Sequence, residues 1–505
     1  MHRRSFLQLT AAAAAAPPEA GVEEITLDAI QAHFESGRWT SRGLTGEYLK
    51  RIAALDRSGP SLNAIIELNP DALAAAEQLD RERRTRGSRG PLHGVPVLVK
   101  DNIETAGRMK TTAGSLALAN HTAMADAPVA ANLRAAGAVI LGKTNLSEWA
   151  NFRSNHSVSG WSGRGRLTRN PYALDRNTSG SSSGSAAACA ANLCAVAVGT
   201  ETDGSVVSPS SINGLVGIKP TVGLLAGEGI IPISHSQDTA GPMARTVRDA
   251  ALLLAALAGK PAAEFTDDLS PRGLQGARIG IARKFLGVNP DVDRLMEDAF
   301  KVLKQLGAEV VDPADLPAQN QLGDPEFEVL LYEFKAGLNA YLAGTGPEVP
   351  VKSLADVIAF NEKHRDQEMP YFEQDIMLLA EKKGPLTEKA YLDAIGKCRR
   401  LSRADGIDGV LTAHRLDALA AVTSGPAWLT DLVNGDRDTG GCSTPAAVAG
   451  YPHITVPAGF VKGLPVGLSF FGAAWTEPKL IRYAYAFEQA AKARRPPRYL
   501  KSIAL

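Results

Sequence analysis

The chain has 505 residues, 45% of them apolar and 21% charged, which excludes a disordered segment and a disulfide-stapled mini-domain. Its 54 basic and 54 acidic residues cancel, so the basic excess that nucleic acid or an anionic membrane rewards is missing. The 48 glycines exceed the usual share of about 7% and point to many tight turns.

At the start, Arg3-Arg4 precede a weakly apolar stretch that runs through Ala11–Ala16 to Pro17-Pro18. A positive region ahead of a modestly apolar segment has the layout of a twin-arginine export leader, here residues 1–21. The expectation is a periplasmic or secreted protein, with a cytoplasmic one as the alternative. Two helices follow. Thr26 precedes Leu27, Ile30 and Phe34 at helical spacing, and Thr40 or Ser41 precedes Leu44, Tyr48, Leu49, Ile52 and Leu55. A third, alanine-rich helix spans about 70–84.

Val95-Pro96-Val97-Leu98-Val99 is a short apolar run that ends in Lys100-Asp101-Asn102, the pattern of a buried strand delivering polar groups to a site. A helix over 129–136 and a buried strand over 138–142 repeat the alternation. The Ser/Gly segment Asn177–Ser185 runs straight into a helix, Ala186–Ala191, with Ser185 placed to cap it, and this continuity argues against a flexible linker. A buried strand over 196–199 ends in the turn Thr200–Ser205. The stretch 260–405 is more helical and more charged, with helices expected over 295–306, 327–342 and 354–363, and reads as a cap. Strand signals return at 409–412, 454–456 and 466–471, and a closing helix runs from about 478 to 493. Strands on both sides of a helical middle predict an α/β fold: one large domain, 22–505, with a central mixed β-sheet covered by helices on both faces.

No run reaches the roughly 18 apolar residues of a spanning helix, so no membrane anchor is expected. Cys189, Cys194, Cys398 and Cys442 lack metal-ligand spacing and read as buried free thiols. Without HExxH or a phosphate loop, neither a metal nor a cofactor is expected. Ser205, just past a buried strand on a glycine turn, sits where nucleophiles are exposed. The nine histidines carry no local motif and read as surface or core residues, and lysine is the alternative base, provided burial lowers its pKa. Lys100 meets that condition, and strand alternation turns Asp101 the other way.

Ser181-Ser182 in the Ser/Gly loop, Ser205, and the tail Pro209–Thr221 together resemble the amidase signature family. Lys100 within Val95–Asn102 matches that family's upstream lysine, and Val456–Gly459 with Gly463–Leu468 resemble its C-terminal region. The signature core is about 90–225. The resemblance implies the amidase signature fold and a Ser-Ser-Lys triad. Ser205 would attack an amide carbonyl, Ser181 would relay its proton to neutral Lys100, and a cis peptide bond would join Gly180 to Ser181. Backbone N–H groups across Thr202, Asp203, Gly204 and Ser205 would form the oxyanion hole. Two departures stand out. Ser183-Gly184 replaces a glycine pair, and Asp203-Gly204-Ser205 replaces Gly-Gly-Ser, placing an acid inside the expected oxyanion hole. Glu201–Ser205 is similar to the peptide amidase branch, as are Phe360-Asn361-Glu362 and Pro370-Tyr371-Phe372, residues that helix packing would also explain. The implied activity is therefore hydrolysis of linear carboxamides with release of ammonia, C-terminal peptide amides being the favoured substrate. The alternatives are an aryl or aliphatic amidase, the glutaminase subunit of a tRNA-dependent amidotransferase, and, outside this class, an exported solute-binding or catalytically silent protein.

Overall fold

The computed structural model describes residues 21–437 and 439–503, so all but the last residue of the proposed leader lies outside the described residues. Strands β1 (Ile65–Leu68), β2 (Pro96–Lys100), β3 (Val139–Thr144), β4 (Val196–Glu201), β5 (Val216–Lys219) and β6 (Thr239–Ala244) come from the first half of the chain. They join β7 (Arg278–Ile281), β8 (Glu309–Val311), β9 (Ala418–Val422), β10 (His453–Val461) and β11 (Leu464–Phe471) in an 11-stranded sheet. Its order is β1-β3-β2-β4-β6-β5-β10-β11-β9-β7-β8, parallel at β3-β2-β4 and at β9-β7-β8 and antiparallel elsewhere. Flanking helices bury the sheet, so β2, β4 and β9 are buried along their whole length, as their unbroken apolar runs require. This is a single α/β domain with a mixed central sheet.

Local chemistry sets several helix ends as expected. Thr26 caps Leu27–Glu35 by accepting from Ala29 N–H, and Thr40 caps Ser41–Arg51 by accepting from Gly43 N–H. Three expectations change. The helix after the Ser/Gly loop begins at Ser183, so Ser185 lies inside it rather than at its cap. The Ser185 hydroxyl instead donates to the Val198 carbonyl at 2.9 Å and pairs with Thr144 Oγ1 at 2.7 Å, fastening the helix to β4 and β3. Residues 409–412 are helical, within Asp408–His414, and the strand is Ala418–Val422. A four-residue apolar run fits either state, and here the left-handed Arg415 ends the helix before the strand starts. Finally, 260–405 is not all cap. Strands β7 and β8 flank the helix Pro290–Gln305 in a parallel unit that extends the sheet edge.

The helical part of that stretch builds a core of its own. Phe334, Leu338, Leu354, Val357 and Met377 pack with Trp149, Phe152 and Ile233 from the sheet domain. Buried Arg153 adds a polar clasp to Glu148 and the Glu368 carbonyl, with its guanidinium over Phe372 at 4.1 Å from the ring centroid. All four cysteines are free and buried.

Candidate active site

Strands β2 and β4 run parallel and adjacent, with Val99 paired to Val198, so their C-terminal ends reach the same edge of the sheet. That register sets Lys100 level with Gly199, so that its amine reaches Thr200, the next residue of β4. The fully buried Lys100 amine contacts Ser181 Oγ and Thr200 Oγ1, each at 2.8 Å, and the Thr200 carbonyl at 3.2 Å. Burial pushes this amine down to about 7, against the pull of Asp238 and Glu201. Asp101 points away, as alternation requires. It accepts from Thr112 Oγ1 and from the N–H groups of Thr112 and Gly114, with Arg164 at 3.6 Å.

The Ser/Gly loop is rigidly tied. Asn177 Oδ1 accepts from Ser179 N–H at 2.6 Å, Ser183 Oγ donates to the Ser179 carbonyl at 2.6 Å, and Ser147 N–H donates to the Ser181 carbonyl at 3.1 Å. The Gly180–Ser181 peptide bond is cis. A Cβ on Gly180 would stand 2.2 Å from Ser147 Oγ, so a larger residue would displace the hydroxyl that accepts from Gly160 N–H. Ser182 N–H donates to the Ser205 carbonyl at 3.2 Å, bringing the loop against the Thr200–Ser205 turn.

That turn is anchored from behind. Glu201, 1% exposed, accepts from the N–H groups of Val206 (2.7 Å) and Val207 (3.0 Å) immediately past Ser205, and burial holds its carboxyl above the ordinary carboxylate range against the pull of buried Lys219. Thr202 Oγ1 donates to Asp238 at 2.6 Å, and Gln237 Nε2 donates to the Thr202 carbonyl at 3.3 Å. Gly204 takes the left-handed φ of 75° that lets the turn reverse. Among the described residues, the N–H groups of Gly204 and Ser205 make no hydrogen bond. Glu201→Ala is expected to strand two buried N–H donors and cost about 2–6 kcal/mol of unfolding free energy, read from urea denaturation. An unchanged urea midpoint would show that the turn holds without this anchor.

Thr202, Asp203, Gly204 and Ser205 line a cleft of about 400 Å³, and Ser205 is 8% exposed at its floor. The acid expected inside the oxyanion turn has its side chain tethered to a wall of the cleft. Asp203 Oδ2 accepts from Thr444 Oγ1 at 2.6 Å, and Glu326 beside it is held well above the carboxylate range by burial and by the Asp203 charge. Ser424, Trp428, Asp436, Gly440 and Gly441 also line the cleft, and Asp436 accepts from Ser159 N–H, Asn177 Nδ2 and Trp428 Nε1. Among the described residues, no group of three His, Cys, Asp or Glu side chains is placed to hold a metal ion.

The structure thus brings Lys100 and Ser181 into direct contact and sets the Ser205 turn against their loop. Thr200, Asn102, Asp238, Gln237 and Asp436 were not singled out from the sequence. Asn102 and Thr200 flank the motifs and were within reach, whereas the other three act only through contacts between distant segments.

An amidase family model matches residues 43–481. The chain belongs to the amidase family. A probable amidase of Arabidopsis thaliana is 44% identical over 501 residues, covering 95% of this chain and 92% of its own. The crystal structure of native peptide amidase from Stenotrophomonas maltophilia is 52% identical with a TM-score of 0.89, covering 94% of this chain and 99% of that one. A glutamyl-tRNA(Gln) amidotransferase polypeptide of Roseiflexus castenholzii is 32% identical, covering 92% of this chain and 96% of its own. This family member is an amidase, a hydrolase of amide carbon–nitrogen bonds.

Proposed function

We propose that this amidase removes ammonia from the C-terminal carboxamides of peptides through an acyl-enzyme on Ser205. The observation that carries the reading is the buried Lys100 amine, 2.8 Å from the Ser181 hydroxyl behind the turn that presents Ser205 to the cleft. Ser205 Oγ attacks the carbonyl carbon while its proton passes to Ser181 Oγ and the Ser181 proton passes to Lys100 Nζ. The carbonyl oxygen gains charge against the N–H groups of the Thr202–Ser205 turn, where one donor contributes about 2.7–4 kcal/mol. The carbon–nitrogen bond breaks as the chain returns one proton to the leaving –NH₂, which departs as ammonia. Water then adds to the ester, gives its proton back through the same relay, and leaves a carboxylic acid and the Ser205 hydroxyl.

Similarity to the Stenotrophomonas peptide amidase supports the substrate class. The charge of the cleft adds to it. Among its described lining residues are Asp203 and Asp436 and no Lys, Arg or His, a composition that favours an uncharged carboxamide over a substrate carboxylate. A panel of peptide amides, amino-acid amides, aryl amides and glutamine, scored by ammonia release, is expected to favour peptide amides. Turnover confined to aryl amides or glutamine would sink the substrate assignment.

We also propose export through Arg3-Arg4. Changing both to lysine (Arg3→Lys, Arg4→Lys) is expected to keep the protein in the cytoplasm, and undiminished export would refute the leader.

A further inference from the structure

The Lys100 nitrogen has three polar contacts: Ser181 Oγ and Thr200 Oγ1 at 2.8 Å, and the Thr200 carbonyl at 3.2 Å. A neutral amine has two N–H bonds and one lone pair. The carbonyl can only accept, so it takes one N–H. The two hydroxyls compete for what is left, and proton transfer from Ser181 requires that its O–H face the lone pair. Thr200 Oγ1 must then take the second N–H. Asn102 Nδ2, two residues beyond Lys100, donates to the same Oγ1 at 3.0 Å and holds it in place. Lys100, Asn102, Thr200 and Ser181 are all buried, so bulk water does not compete for these contacts.

We propose that Thr200 is a positioning residue that takes both N–H bonds of the neutral Lys100 amine, on its carbonyl and its hydroxyl, and so aims the nitrogen lone pair at the Ser181 proton. The proposal rests on the serine–lysine reading above. In the transfer, the Ser181 O–H bond breaks, an N–H bond forms, and the Ser181 oxygen takes the Ser205 proton. Thr200 keeps its two contacts throughout, and the ammonium gives its new N–H back to Ser181 Oγ. Two carboxyl groups face Lys100 from neighbouring elements. Glu201 ends β4 and is held by Val206 and Val207 N–H, while Asp238 precedes β6 and accepts from Thr202 Oγ1 and from Ile233 and Ser234 N–H.

Thr200→Val keeps the shape and the carbonyl but removes the hydroxyl acceptor. With a peptide amide as substrate, kcat is expected to fall about 10- to 100-fold at unchanged KM. The acid limb of kcat/KM is expected to move down by about one to two pH units, because the ammonium loses a charge-assisted hydrogen bond. Thr200→Ser is expected to restore both rate and limb, which a purely structural role for Thr200 does not predict. Should the valine variant fail to fold, Thr200→Cys, with its weakly accepting sulfur, carries the same expectation. An unmoved acid limb in the folded variant overturns the proposal, and so does a limb that belongs to Asp238. If Lys100→Met is inactive while the Thr200 limb stays put, only the positioning role falls. If Lys100→Met remains fully active, the serine–lysine reading falls with it.

Discussion

Replacing Ser205 with alanine is expected to abolish labelling by a serine-reactive fluorophosphonate and to lower amide turnover by about 10⁴- to 10⁶-fold. The residual rate would come from the oxyanion donors and substrate binding, which need no nucleophile. The substitution is expected to be structurally quiet. The Ser205 side chain makes no hydrogen bond among the described residues, and its neighbours Val206 and Val207 stay fixed on Glu201. The unfolding midpoint should therefore match that of the unaltered protein, so that lost turnover reports chemistry and not folding. Equal labelling of the alanine variant would remove Ser205 from the mechanism.

Lys100→Met carries the second large effect, in two opposite directions. In the proposed mechanism activity needs the unprotonated amine, which burial holds near a pKa of about 7. The kcat/KM of the unaltered protein should thus fall about tenfold per pH unit below that point, and the methionine variant should lose most turnover at every pH. Stability moves the other way. The folded pKa lies below the ordinary lysine value of 10.5, so between these two pH values the unfolded chain holds a proton that the folded chain lacks. The lysine's contribution to folding worsens as pH falls through that window and levels off below about 7. Lys100→Met removes a buried amine and is expected to unfold at higher temperature than the unaltered protein at neutral pH. A calorimetric scan showing a lower transition at neutral pH would contradict the neutral, burial-strained lysine.

Much of this site was legible in the sequence because its parts are local. An apolar run ending in Lys100, a Ser/Gly loop feeding a helix, and a glycine turn after a buried strand are each written within about ten residues. The cis bond at Gly180–Ser181 and the contact from Lys100 to Ser181 accord with what the family resemblance implied. The limits of the reading follow from range. That Asp203 would be tethered to Thr444, that Gln237 would bridge Thr202 and Glu326, and that Asp436 would gather Ser159, Asn177 and Trp428 all depend on pairings across long stretches of chain. The same holds for the sheet. Strands β7 and β8 are short and partly exposed, so their signal was lost among helices, while 409–412 imitated a strand within a helix.

The sheet order carries a consequence for how the protein is made. Strand β5 ends at Lys219, yet its antiparallel partner β10 begins only at His453. A chain emerging from the ribosome therefore carries an open, hydrogen-bond-hungry edge while more than 200 further residues are synthesised. The halves of the sheet close only near the end of translation, at about 5–20 residues per second some tens of seconds after β5 appears. The length of time for which that edge stays open is set by this topology.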